Sequence, residues 1–417
     1  MQYLSQKLER LKELSGLFSP SDFDRLGKCD VLLISHDLNK PFIFDGLAYG
    51  PLVDSIKEII DRLGVTSLCL SKPISKLRAS DTYANSLNIN RPYILFKLVE
   101  KFLGRLVNID ERTFWKKIIL KTCPNCIIAI QPPPALCAAG KSMSVPVYDL
   151  QHGIIESSVY YNKRLAIKFG VSGFPDGVLV WDCPSEQAVA SCLPGVTAFR
   201  IGNPWLERFI NPPGSDRLVE SEQTRVEHIC NKAGPKILIS LQWDRDLGSK
   251  IDMPSFVHEA LRQLSEKGWV IFVRFHPVQL NLFGIEAVTR SWIRMTRLDF
   301  DGMEVVEASF FALPALLKCV NAHVTGHSAV AVDSSHMKVP SLLWRNDGAV
   351  KEWFKHYIDN GAVHMLADAG SNGIVSWAEN IAALQRDSRG QGGLEERGTT
   401  LHHSLLEELC QQKPAGF

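Results

Sequence analysis

Apolar residues recur at Leu4, Leu8, Leu11, Leu14 and Phe18, three and four positions apart with Lys, Arg and Glu between them. That is the stripe of an amphipathic helix, whose ordinary use is to pack on its own domain. From Asp30 the pattern becomes an alternation of short apolar runs and longer amphipathic ones. Strands are predicted over 31–36, 67–70, 126–130, 145–149, 177–182 and 197–202, with helices over 51–63, 93–106, 113–121 and 185–191 between them. Strands alternating with helices imply a parallel sheet covered on both faces.

The run closes at Gly202-Asn203-Pro204, and Asn211-Pro212-Pro213-Gly214-Ser215-Asp216 reads as a linker, rich in chain breakers and polar residues. The alternation then restarts. Strands are predicted at 236–243, 269–275, 303–307, 322–325 and 341–344, and helices at 254–267, 313–319, 329–336 and 350–358. Two further helices, 374–384 and 400–410, flank a glycine-rich break at 389–393. The expected architecture is α/β: two doubly wound Rossmann-like domains facing a cleft. The first spans 1–208 and the second 209–375, and the helices of 376–417 are expected to pack back on the first.

Composition adds limits. At ~150 residues per domain, 417 residues exceed one core and fit two domains. Apolar residues at 45% and charged residues at 22% are ordinary for a water-soluble globular chain. No stretch approaches the ~20 apolar residues of a membrane span, and the N-terminus lacks the apolar core of a signal peptide, so a cytoplasmic location is expected. With 46 basic and 45 acidic residues the net charge is +1, which gives no global field for nucleic acid. The ten cysteines are scattered; Cys123-Pro-Asn-Cys126 has no second pair at zinc spacing, and buried thiols are the expectation.

Candidate chemistry lies at strand ends. Val145–Leu150 empties into Gln151-His152-Gly153, with Glu156 two residues beyond Ile154. Gly153 allows close backbone approach, His152 offers a proton near neutral pH and Glu156 an acid or a base, although a helix start with a capping glutamate fits as well. In the second half three clusters follow strands. Ser240–Trp243 runs into Asp244-Arg245-Asp246, Val273-Arg274-Phe275 into His276-Pro277, and Thr325 into Gly326-His327-Ser328. A glycine turn, a Ser hydroxyl and a helix start suit a phosphate, yet Ser328 reads equally as a helix cap and His276 as a core histidine. Asp244/Asp246 and Asp299/Asp301 form Asp-x-Asp pairs, but a divalent metal bound by oxygens ordinarily needs more carboxylates. Gly-x-x-x-x-Gly-Lys, Gly-x-Gly-x-x-Gly after the first strand and His-Glu-x-x-His are all absent, and Gly326-His327-Ser328-Ala329-Val330 lacks the second glycine of a hydrolase elbow.

The two doubly wound halves, His276-Pro277 after a strand and Gly326-x-Ser328 one strand later resemble the glycosyltransferase-B fold. Within it they resemble bacterial enzymes that use CMP-activated sugars, in which the His and Ser contact the CMP phosphate. Gln151-His152-Gly153 with Glu156 narrows the resemblance to the retaining β-Kdo transferases of capsule and O-antigen assembly. The resemblance implies Asp244 as nucleophile, with Asp246 close enough to be the counterpart, and Glu156 as acid/base with His152 beside it. His276, Ser328, Gly326 and Gln151 would bind the donor, and Arg245 or Arg274 would meet the Kdo carboxylate. It further implies CMP-β-Kdo as donor, no required metal or other cofactor, and a glycan acceptor, lipid-linked, of a lipopolysaccharide or capsular polysaccharide. The work would be done at the inner face of the inner membrane, with peripheral membrane association or further enzyme modules as partners. The alternatives are an inverting CMP-sialic acid or CDP-glycerol-type transferase, and a non-catalytic nucleotide- or glycan-binding module.

Overall fold

The computed structural model describes residues 21–73, 75–107, 110–155, 169–193, 195–212, 214–243, 247–296, 303–304, 307–368, 370–388 and 403–411. The N-terminal stripe, Glu156, Asp244, Arg245, Asp246, the Asp299/Asp301 pair and the glycine-rich break at 389–393 lie outside them. The chain divides into two units, one formed by Met1–Pro204 with Thr400–Phe417 and the other by Trp205–Thr399.

The first unit begins with β1 (Val31–Ser35), a hairpin of β2 (Phe42–Phe44) and β3 (Leu47–Tyr49), α1 (Pro51–Arg62) and β4 (Ser67–Ser71). It continues through α2 (Asn90–Val107), α3 (Glu111–Thr122), β5 (Cys126–Ala129), α4 (Pro134–Ser142), β6 (Val147–Leu150), β7 (Gly177–Val180), α5 (Cys183–Cys192) and β8 (Thr197–Arg200). The six longer-range strands form one parallel sheet in the order β4-β1-β5-β6-β7-β8. β1 is apolar at four of five positions and buried throughout because helices cover both faces. Val31 and Leu33 pack with Ile56 and Ile60 of α1, whereas Leu32 and Ile34 pack with Trp115 and Ile118 of α3. The hairpin was not foreseen by the alternation: Asp45 and Gly46, at φ 50° and 76°, make its tight turn.

The second unit opens with α6 (Pro204–Ile210) and α7 (Arg217–Cys230), then runs β9 (Lys236–Ser240), α8 (Ser255–Glu266), β10 (Val270–Arg274), α9 (Pro277–Phe283), α10 (Ile285–Thr296), β11 (Met303–Glu304) and α11 (Leu313–Leu317). It ends β12 (Ala322–Thr325), α12 (Val330–His336), β13 (Ser341–Leu343), α13 (Gly348–Asp359), β14 (Val363–Met365) and α14 (Ser371–Ser388). Its parallel sheet has the order β11-β10-β9-β12-β13-β14.

Three expectations are corrected. The segment 211–216 is no loose linker, because the Arg208 guanidinium donates to both carboxylate oxygens of Asp216, each at 2.8 Å, with both side chains buried. Asp216 also caps α7 through the amides of Leu218 and Val219. The C-terminal helices do not both return to the first unit: Ile374 and Ala378 of α14 join the core of the second unit with Leu261 of α8, and only α15 (His403–Gln411) packs on the first, placing Leu406 and Leu409 beside Ile56. Cys230 and Cys319 are a disulfide with Cα atoms 5.2 Å apart, not buried thiols. In the Cys-x-x-Cys stretch Cys123 is exposed, and buried Cys126 has its thiol against Cys410 of α15. Among the described residues no helix is long and apolar enough to cross a membrane.

Candidate functional site

In each sheet the chain starts at an inner strand, runs outward on one side and then returns to the other. In the second unit this reversal falls between β9 and β12, and ligands of open α/β sheets bind outside the carboxyl ends of such strands. Thr325 Oγ1 donates to the Ser240 carbonyl at 2.8 Å and fixes the two ends together. Below them His323 is fully buried between the hydroxyls of Ser240 (2.6 Å) and Ser341 (2.9 Å), and burial pushes it down to about 3.

The turn after β12 is held by a residue the sequence reading did not single out. Gln242 Oε1, after β9, accepts the His327 amide at 2.9 Å. Gly326 leaves room for this contact, since a Cβ would lie 2.8 Å from that oxygen and 3.2 Å from the Trp344 ring, and the Gln242 side chain would have to shift off the His327 amide to admit it. Ser328 Oγ accepts the Val330 amide at 3.3 Å, which leaves its hydroxyl proton to donate elsewhere. His327 takes a hydrogen bond on Nδ1 from Arg345 at 3.3 Å; burial, then the Arg345 charge, holds its pKa at about 4. Arg345 is in turn paired with Asp347 at 2.8 Å. It follows β13 by two residues, the same strand-end signal that marked His276.

On the other side of β9, β10 delivers His276. Its Nδ1 accepts the Val278 amide at 3.3 Å, so the neutral ring carries its proton on Nε2, and burial lowers its pKa. Trp243 stacks near it, ring centres 6.2 Å apart and tilted by 32°. Arg274, at the end of β10, is held by backbone carbonyls. Its guanidinium donates to the carbonyls of Ala308 (2.7 Å) and Phe311 (2.8 Å), and burial pushes it down to about 10 with Asp333 and Glu222 as its nearby charges. These two bonds tie one nitrogen of the guanidinium to the backbone of 308–311.

In the first unit the reversal falls between β1 and β5. Lys72, next to the end of β4, donates from Nζ to the Gln131 carbonyl beyond β5 at 2.6 Å and so crosses the end of β1. Burial holds its pKa down at about 8, with Asp149 pulling the other way. His152 stands beyond β6 and is pushed down to about 4 by burial and by Lys72, so it is a neutral imidazole at physiological pH. Gln151 is 1% exposed: Oε1 accepts the Trp181 amide at 2.8 Å, and Nε2 spends both its protons on Gly153 O and Ser185 Oγ, each at 2.9 Å. These bonds hold the turn that follows β6. Gly153 is not needed for space, because a Cβ there would meet nothing within 4 Å.

The structure thus brings Gly326, Ser328 and His276 to one sheet edge, places His152 on the edge of the other unit, and turns Gln151 and Arg274 inward. Among the described residues no group of three or more His, Cys, Asp or Glu side chains is arranged to hold a metal ion.

No protein family matches the sequence, and no curated protein matches it. Solved structures do match in three dimensions. The UDP-GlcNAc 2-epimerase from Neisseria meningitidis bound to UDP-GlcNAc superposes with a TM-score of 0.57 over 91% of this chain and 98% of its own, at 10% identity. The wall teichoic acid polymerase TagF gives 0.54 over 99% and 92% at 12% identity, and the glycotransferase of kitacinnamycin 0.53 over 92% and 99% at 13%. At such identities the likeness establishes the fold: two Rossmann-like units of the glycosyltransferase-B type.

Proposed function

We propose that this chain is a nucleotide-sugar-dependent transferase that moves Kdo from CMP-β-Kdo to a bacterial surface glycan with retention. The observation that carries the reading is the edge of the second unit, where the Nε2–H of His276 and the hydroxyl of Ser328 flank the reversal point of the sheet. Two neutral donors and the nearby Arg345 suit one phosphate, the part of CMP that gains charge as the sugar leaves. The comparisons support a nucleotide-sugar ligand through the epimerase bound to UDP-GlcNAc. Kdo, CMP and retention rest on the sequence resemblance.

In this reading Asp244 attacks the anomeric carbon, the bond to CMP breaks and its phosphate is received by His276 and Ser328. The acceptor hydroxyl then displaces Asp244, giving up its proton to Glu156, as in other double displacements. His152, neutral down to about pH 4, hydrogen-bonds the acceptor side. Arg245 or Arg274 meets the Kdo carboxylate, and Arg345 adds a cation beside His327. The reaction proceeds without a metal, and the protein works at the inner face of the membrane on a lipid-linked acceptor.

The test is an NMR assay of product formed from CMP-β-Kdo and a synthetic glycan acceptor, with and without EDTA. A β-linked product in both supports donor, retention and metal independence. An α-linked product sinks the double displacement. Turnover only with CMP-sialic acid or CDP-glycerol overturns the donor assignment, and binding without turnover overturns the enzyme reading.

A further inference from the structure

We propose that Lys72 and His36 form an oxyanion site at the carboxyl edge of the first unit, there to receive a carboxylate or a phosphate carried by the acceptor. That the acceptor brings the anion rests on the function proposed above; the site itself does not.

The two residues leave adjacent strands side by side. Ser35 and Ser71 are register partners at the ends of β1 and β4, and the Lys72 amide donates to the Ser35 carbonyl at 2.7 Å. His36 repeats the device seen at His276. Its Nδ1 accepts the amide two residues on, that of Leu38 at 3.1 Å, so the neutral ring carries its proton on Nε2. Burial lowers its pKa, the charges of Lys72 and Lys40 add to the fall, and Asp37 opposes it. Lys72 spends one of its three protons on the Gln131 carbonyl, which leaves two to donate. The charged and titratable groups around Lys72 are occupied or neutral. Asp149 Oδ1 accepts the Gln131 amide at 2.9 Å. The two oxygens of Asp37 accept the Ser75 hydroxyl and the Lys76 amide, each at 2.6 Å. Burial pushes the Cys137 thiol up, so it stays protonated, and His152 is neutral in the field of the same ammonium.

Two ammonium protons and an imidazole N–H thus lie at the end of β1, where the strand order reverses and ligands of open α/β sheets bind. All three are donors. A largely buried ammonium held only by a carbonyl is costly, and an oxyanion would pair with it through charge-assisted hydrogen bonds.

The test follows the side-chain NMR signals of isotope-labelled lysine in the full chain, with Lys72 assigned by the loss of its signal in Lys72→Arg. The pH midpoint of that signal is read in sodium chloride, inorganic phosphate and sodium lactate at one ionic strength. In chloride it should lie at about 8. In phosphate or lactate it should rise by about one pH unit, because a bound anion favours the charged ammonium. A rise with phosphate alone identifies a phosphate as the acceptor's anion, and a rise with lactate alone a carboxylate. His36→Ala should weaken the anion roughly tenfold. The same midpoint in all three salts overturns the site, and so does a His36→Ala variant that binds both anions as tightly as the unmodified chain. Where Kdo is transferred, Lys72→Met should raise KM for an acidic acceptor with little change in kcat, and Lys72→Arg should restore it; an unchanged KM in Lys72→Met overturns the assignment of the anion to the acceptor. A risen midpoint in a chain that does not turn over CMP-β-Kdo supports the site and sinks the transferase reading alone.

Discussion

His323 shows how much one buried side chain can impose. Between Ser240 and Ser341 it is kept neutral, and its pKa falls from 6.5 to about 3. The unfolded chain therefore binds the extra proton between those pH values, so the stability this group contributes is complete above about 6.5 and is lost as pH falls toward 3. The slope is about 1.4 kcal/mol per pH unit. Asp54 and Asp333, raised to about 6 by burial, work in the opposite sense, since what they contribute is lost as pH rises from 3.8 to 6. Urea unfolding at pH 4.5, 5.5 and 6.5 should show the slope reduced by close to one proton in His323→Asn. An unchanged slope would mean that His323 is protonated in the folded chain.

At the scale of elements the turn after β12 is a strand-turn-helix unit set by contacts from outside it. Gly326→Ala would drive a methyl to 2.8 Å from Gln242 Oε1 and displace the acceptor of the His327 amide. The expected cost is about 1–3 kcal/mol, read by urea midpoint, and on the proposed function also a weaker affinity for CMP, read by titration. Gln242→Ala removes both the clash and the hydrogen bond, so the double variant should cost less than the sum of the two single ones. Additive losses would separate the glycine from the glutamine. The strands flanking this turn were legible because runs such as Ile237-Leu238-Ile239 must be apolar on both faces. Gln242 was not, since a glutamine one residue past an apolar run gives no sign of which amide it will accept.

Across the whole molecule, the Cys230–Cys319 bridge closes a separation of 89 residues wholly within the second unit. Reduction should therefore destabilise that unit by roughly 2–5 kcal/mol and leave the first unchanged. Urea unfolding with and without a phosphine reductant, followed by hydrogen exchange in β5 and β12, should show only the β12 transition moving to lower urea. A shift of both would mean that the two units unfold as one.

Local pattern determined the alternation of strands and helices, the restart after Gly202 and the strand ends that carry His152, His276 and Ser328, because burial on both faces dictates residue type along short stretches. The hairpin at Asp45-Gly46 was open to the same reasoning through its turn dipeptide. Only the tertiary structure decided that Arg208 closes on Asp216, that α14 and α15 go to different units, that Cys230 and Cys319 form a disulfide, and that Gln151 and Arg274 turn inward while Lys72, Gln242 and Arg345 come to the sheet edges. Each of these depends on which groups distant in sequence arrive at a side chain and satisfy it. A charged or amide side chain left unsatisfied in the interior is too costly to persist, so its role is fixed by partners that its own neighbours in sequence do not reveal.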